Sequence, residues 1–413
     1  MRKNNRIRRS AIVSFGIFLI LSGVLASRPA SPGSRVDTPE KRLAYASLLL
    51  KELCTDIGPH PFGTRAYERA ASAIHKEMAA AIPGAFLDRY LDRWEILTSR
   101  PTLLFKGKNI DVAAAENCAG TPLEGVTGVI RKADTKGAPP YVIVDVKTGE
   151  AAACVSISRD LAPIPEFLFG KDILSLPRFV VGQRDVPLLE LLVKDQAQVQ
   201  ARIPVLYAPE VPTYNVVGTI AGKSCSEILV LGHADSVIQT EGANDNMATV
   251  IVMLLLANAF SGAAPDYTLT FVATGSEEGA GYNGARHYAK RREAEGTAKN
   301  IRFVINCDSL TYGPNIWAST NDSGLIDLIK QAHASLKLNT EPIYSPNADP
   351  WTMDASPFRA IAGARAVHLN SRGYNTVAAN HTPADNAANV PIDCIESSFL
   401  FMREFINRLP SAK

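Results

Sequence analysis

The chain has 413 residues, 46% hydrophobic and 20% charged, a balance that excludes disordered, collagen-like and coiled-coil classes and leaves room for two folded domains. Lys and Arg number 43 against 41 Asp and Glu. Arg2, Lys3, Arg6, Arg8 and Arg9 account for that excess, so the rest of the chain is slightly acidic and has no footprint for gripping a phosphate backbone; nucleic acid is not expected as a partner.

Residues 1–26 read as an export signal. After the basic run comes AIVSFGIFLILSGVLA, residues 11–26, ending in Val24-Leu25-Ala26 with small residues at the places a signal peptidase prefers. Its length falls short of the ~20 residues that span a bilayer core, and no later stretch reads as a membrane span. A periplasmic or secreted protein with no membrane span after cleavage is therefore expected. In such a compartment disulfides persist. No CxxC pair occurs, so the six cysteines are read as disulfides or buried thiols rather than a thiolate metal site, with Cys118 and Cys154 the favoured pair.

The predicted elements follow in chain order. Thr38-Pro39-Glu40 supplies an N-cap, a proline at the first helical position and an early acid, which starts one helix. A second runs from about Ala66 to Ile82 and stops at Pro83-Gly84. Between them lies the Gly/Pro-rich loop GPHPFGT, residues 58–64. Alternation from Phe86 to Leu97 predicts a strand, with a shorter one reaching Val112. Residues 118–208 change character: VTGVIR, YVIVDV and RFVVG are short β-rich runs between Pro/Gly turns, with one amphipathic helix, VPLLELLVKD. They read as an inserted module that divides the rest of the fold into 37–117 and 209–410.

From Tyr214 onward strands and helices alternate. NVVGTIAG, EILVLGH, helix 247–260, YTLTFVAT, helix 282–293, IRFVINCD, helix 323–336, ARAVHL and helix 391–408 predict a three-layer α/β/α sandwich around a mixed, mostly parallel sheet. EILVLGH and IRFVINCD are apolar until their last residues, the pattern of strands buried on both faces. Ligands of such sheets bind at the carboxyl ends of the strands.

Those ends carry His, Asp and Glu. EILVLGH ends on His233, followed by Asp235; GANDN places Asp245 before an apolar helix; YTLTFVAT leads to Glu277-Glu278; IRFVINC ends on Asp308; and NHTPAD brings His381. Two imidazoles with three carboxylates suit zinc, with cobalt or manganese as substitutes. Asp245, Glu278 and Asp308 carry three negative charges, which two divalent ions and one hydroxide bring to neutrality, leaving one carboxylate free as a base. Taken singly the residues have plainer readings. His233 would be a hydrogen-bonded strand-end residue, Asp245 a helix cap, and Glu277-Glu278 a solvated pair.

In order, GHADS, GANDN, GSEEGAG, INCDS and NHTPADN resemble the zinc exopeptidase family of bacterial leucyl aminopeptidases and glutamate carboxypeptidases. The resemblance covers about 37–112 and 213–408, and 118–208 is similar to the protease-associated domain inserted in many members. It implies two Zn2+ per chain, His233 and Asp308 on one, Glu278 and His381 on the other, Asp245 bridging. It further implies Glu277 as general base for an attacking bridging hydroxide, Asp235 orienting the His233 imidazole, and a peptide substrate. Asp354 in MDASPF resembles the family's SDxxPF loop near the site. Two departures stand out: Asn380 occupies the place where many members have a Tyr that serves the oxyanion, and Met247 and Thr249 replace small residues at the start of the following helix. An aminopeptidase is the expected activity. A carboxypeptidase using an arginine among Arg359, Arg365 and Arg372, a dipeptidase, a glutaminyl cyclase and a non-catalytic binding module remain open, as does the oligomeric state.

Overall fold

Successive strand residues alternate between two helical layers, and this alternation organises most of the molecule. The computed structural model describes residues 36–97, 99–115, 118–133, 138–166, 176–238, 240–278, 282–311, 313, 315–337, 343–345, 353–371 and 379–411. The expected export signal and Arg372 lie outside them. In chain order come α1 (Pro39–Leu50), α2 (Arg65–Ala81), β1 (Phe86–Leu97), β2 (Thr102–Phe105), β3 (Lys108–Ile110) and β4 (Val112–Ala114). Next are β5 (Val126–Lys132), β6 (Tyr141–Asp145), β7 (Ala151–Ile157), β8 (Arg178–Val181), α3 (Val186–Lys194) and β9 (Gln198–Arg202). Then follow β10 (Val205–Ile220), β11 (Ser224–His233), α4 (Ala248–Phe260), β12 (Tyr267–Thr274), α5 (Asn283–Ala294) and β13 (Ile301–Cys307). The last are β14 (Ile316–Ser319), α6 (Ser323–Leu336), β15 (Ile343–Ser345), α7 (Ser356–Ala362), β16 (Arg365–Ser371) and α8 (Ile392–Arg408).

The main sheet has the order β1-β10-β12-β11-β13-β16-β14-β15. Val216, Ile228 and Val230 face a core shared with α1, α2, α4, α6 and α8, whereas Val217, Leu229 and Leu231 face α5 and α7. Burial on both faces is what the continuous apolar strands demand. The sheet is mixed, which corrects the mostly parallel expectation: β12, β11, β13 and β16 run parallel, but β1 with β10, β10 with β12, and β14 with β16 are antiparallel. The reversal at β10 has a simple cause. A parallel crossover needs about a dozen residues, and only residues 221–223 separate β10 from β11.

Every residue of α4 except Ala259 is buried. The stretch Ala243–Phe260 has the length and hydropathy of a membrane span, contrary to the sequence expectation, yet 94% of it is buried inside the protein. It is the central helix of its layer. Met247, one of the departures at its start, is fully buried, and the Thr249 hydroxyl accepts the Leu310 amide at 3.1 Å, just beyond Asp308.

The second sheet, β3-β2-β9-β5-β6-β7-β8-β4, has its own core of Leu103, Ile130, Ile143, Val155, Phe179 and Val199 against Leu189 and Leu192 of α3. β2 to β4, placed by the sequence reading with the first part of the chain, pair here instead: Leu103 lies opposite Ala201 and Ala113 opposite Val180. All six cysteines are free thiols. The favoured Cys118–Cys154 bridge is absent; these thiols donate to the neighbouring carbonyls of Arg178 and Pro177.

Candidate metal centre

The carboxyl edge of the main sheet gathers the residues that the motifs singled out. β11 delivers His233, the turn after β12 delivers Glu277 and Glu278, the residue after β13 is Asp308, Asp245 stands before α4, and His381 arrives on the loop after β16. His233 Nε2 lies 3.1 Å from Asp245 Oδ1, 3.6 Å from Asp308 Oδ1 and 4.0 Å from Glu277 Oε2. His381 Nε2 lies 3.4 Å from Asp245 Oδ2 and 3.1 Å from Glu278 Oε2. Asp245 thus offers one oxygen to each histidine. Two triads, His233/Asp245/Asp308 and Asp245/Glu278/His381, each have ligand atoms within 4.8 Å of one another and share Asp245.

Backbone bonds hold this arrangement. The Asp235 carboxylate accepts the amides of Glu277 at 3.2 Å and Glu278 at 3.1 Å, locking the acidic pair to the end of β11. The expected bond from that carboxylate to the His233 ring is replaced: ring Nδ1 sits 3.1 Å from the Asp235 main-chain carbonyl and 3.8 Å from its carboxylate. With Nδ1 donating to that carbonyl, Nε2 is the nitrogen turned to the carboxylates, a donor to Asp245 while the ring is charged and a lone pair for a cation once it is neutral. Asn246 brackets Asp308, donating to the Cys307 carbonyl at 2.9 Å and accepting the Ser309 amide at 3.1 Å. Behind the acidic pair, Tyr90 donates to the Gly275 carbonyl and Asn215 accepts the Gly275 amide. Ser276, Ser309 and His381 have φ of 57°, 52° and 56°, strained values for side-chain-bearing residues that cluster at functional sites.

Sequence reasoning passed over Asn246 and Asp385, although each stands in a motif it had marked, one place after Asp245 and four after His381. Asp354 is fully buried and accepts a bond from the Thr274 hydroxyl at the end of β12. His368, buried in β16, is occupied by Asn306 and Asn370 and stands apart from the cluster. Arg365 begins β16 at the opposite end of the sheet from Asp308 and pairs with Asp322 at 2.9 Å.

Burial pushes Glu278 up to about 8 and Glu277 well above the ordinary carboxylate range, where the charges of Glu278 and Asp308 reinforce it against His233. Asp245 goes the other way: burial opposes its charge, but hydrogen bonds from His233 and His381 hold it below its usual value. Burial likewise disfavours a charged His233, and the surrounding Glu277, Asp245 and Asp308 outweigh it to hold the ring well above its ordinary range. Groups driven this far apart in one cleft mark a site that handles cations or protons.

Residues 215–406 match peptidase family M28. Over 337 residues the chain is 24% identical to aminopeptidase YwaD of Bacillus subtilis (strain 168), covering 74% of this chain and 71% of that protein. The fold is similar to that of BSAP, a zinc aminopeptidase from Bacillus subtilis, with a TM-score of 0.67 at 20% identity, covering 89% of this chain and 95% of that one. A peptidase M28 precursor from Shewanella amazonensis SB2B superposes with a TM-score of 0.70 at 17% identity, covering 92% and 97%. The matched stretch runs from within β10 into α8 and contains all five of the clustered acids and histidines above, together with Glu277.

Proposed function

We propose that the protein is an exported two-zinc aminopeptidase. The observation that supports this most is the bridging placement of Asp245, one oxygen 3.1 Å from the His233 nitrogen and the other 3.4 Å from that of His381. The donor set fits zinc, being all imidazole and carboxylate, and Glu278 Oε1 is buried with no hydrogen-bond partner, an acceptor left for a cation. His233 and Asp308 would hold one ion, Glu278 and His381 the other, and Asp245 both, with cobalt or manganese as substitutes. Such ions supply Lewis acidity and lower the pKa of water.

The chain's own residues then do the following. Glu277, fixed through its amide by Asp235, takes a proton from the attacking water and returns it to the leaving amine. Burial raises the proton affinity of its carboxylate above the ordinary range, which favours taking the proton from water. Asn380, beside His381, has a donor with shorter reach than the Tyr of many relatives, so oxyanion support falls mainly on the metal side. The amino-terminal direction is supported by the named aminopeptidase relative and by Arg365, which faces Asp322 rather than the cleft. The second sheet is read as a protease-associated type of accessory module, and the basic-then-apolar stretch at 1–26 as the export signal.

The test is mass spectrometry of peptides with free and blocked amino termini, treated with zinc-loaded protein and with Glu277→Gln. Stepwise loss from free amino termini alone, absent in the variant, is the expected result. Loss from carboxyl termini would replace the reading with a carboxypeptidase, and release of ammonia from amino-terminal Gln without cleavage would replace it with a cyclase. Zinc binding without any reaction would favour a binding module.

A further inference from the structure

Asp385 is fully buried, and its carboxylate and carbonyl accept bonds from the segment that carries Asp245. Its Oδ1 accepts the Asn244 amide at 2.7 Å and the Asn244 side chain at 3.3 Å; its Oδ2 accepts the Asp245 amide at 3.2 Å; its carbonyl accepts the Thr240 hydroxyl. It also stands four residues beyond His381. A single side chain therefore ties the loop bearing His381 to the main chain of the residue that spans both histidines.

We propose that Asp385 is the positioning residue of the metal pair, fixing the Asp245 carboxylate midway between His233 and His381 before any ion binds. This rests on the two-zinc reading. The role requires a carboxylate: both oxygens accept backbone N–H groups, and an amide in the same place would turn a donor toward one of them. A buried N–H left facing a donor loses its partner, and the loop must shift to recover one. A shift there moves Asp245 itself, which serves both ions, so the loss falls on the pair rather than on one site.

A plain structural staple makes a different forecast, and a second tie between the same loops separates the two. Glu241 Oε2 accepts the Ala387 amide at 3.0 Å, joining the loops without touching Asp245. Zinc affinity by chelator competition, the visible spectrum of the cobalt form and the melting of metal-free protein would be measured for wild type, Asp385→Asn and Glu241→Ala. The expected result is 10–100-fold weaker zinc binding and a changed cobalt spectrum in Asp385→Asn, with metal-free protein still folded and Glu241→Ala within about threefold of wild type. Unchanged affinity in Asp385→Asn overturns the proposal, as does an equal loss in Glu241→Ala or an Asp385→Asn protein that stays unfolded with and without zinc; each would make Asp385 a staple. If wild type itself binds no zinc, the metal reading fails and takes this proposal with it.

Discussion

Glu277 and Glu278 are neighbours in sequence with different partners, the first 4.0 Å from His233 and the second 3.1 Å from His381. The proposed division of labour, base and ligand, makes Glu277→Gln selective. It should keep its zinc content by metal analysis while kcat falls by about 10²–10⁴-fold, the usual worth of a general base; loss of zinc along with activity would make Glu277 a ligand instead. The types of residue at this edge were legible because a strand buried on both faces carries its charged side chains near its ends, as at His233, with Asp308 next after β13. The role of Asp235 was not. Its carboxylate bonds backbone amides 42 and 43 positions away, and a backbone amide has no signature in residue type.

α5 depends on a close approach that no helical pattern announces. A Cβ at Gly284 would fall against the Gly275 carbonyl and 2.6 Å from Asn215 Oδ1, both part of the support for the Glu277 turn. Gly284→Ala should cost about 1–3 kcal/mol of stability in urea unfolding, the usual cost of overpacking, and lower kcat as the turn shifts. A variant of wild-type stability and activity would show that the helix has slack there. Elements with their own punctuation were legible, such as α1 with its Thr38 cap, whose hydroxyl accepts the Lys41 amide. β7 and β9 were not. AAACVSI lacks alternation, and QVQAR is too short to stand out; pairing with β6 and β8, and with β2 and β5, makes them strands.

At the scale of the whole molecule, three apolar clusters are built on two sheets among the described residues, one on each face of the main sheet and one on the second, and the acidic cluster lies on the main sheet. Burial holds Glu278 at about 8 and Asp354 at about 7, both above their unfolded values of 4.5 and 3.8, and the neighbouring carboxylates hold His233 high despite its burial. Folded protein therefore binds more protons than unfolded protein across this range, and its stability falls as pH rises through it. His60, lowered to about 4 by burial, works against the trend only below its unfolded 6.5. In chelator, the melting temperature should be lower at pH 8 than at pH 5.5. Zinc should reverse the order, because it requires the deprotonated carboxylates. An equal or higher melting temperature at pH 8 in chelator would contradict this account of the cluster.

Read by itself, the chain determined which side chains meet at one edge and that helices cover both faces of the sheet, since long apolar strands permit little else. The tertiary structure decided the rest. It set the direction of β10, through a connection too short for a crossover; the membership of β2 to β4, through pairing with distant strands; and the roles of Asp235, Asn246 and Asp385. These depend on bonds between side chains and backbone groups 42 to 141 positions apart. Hydrophobic periodicity records burial along a chain, and such bonds leave no period in it.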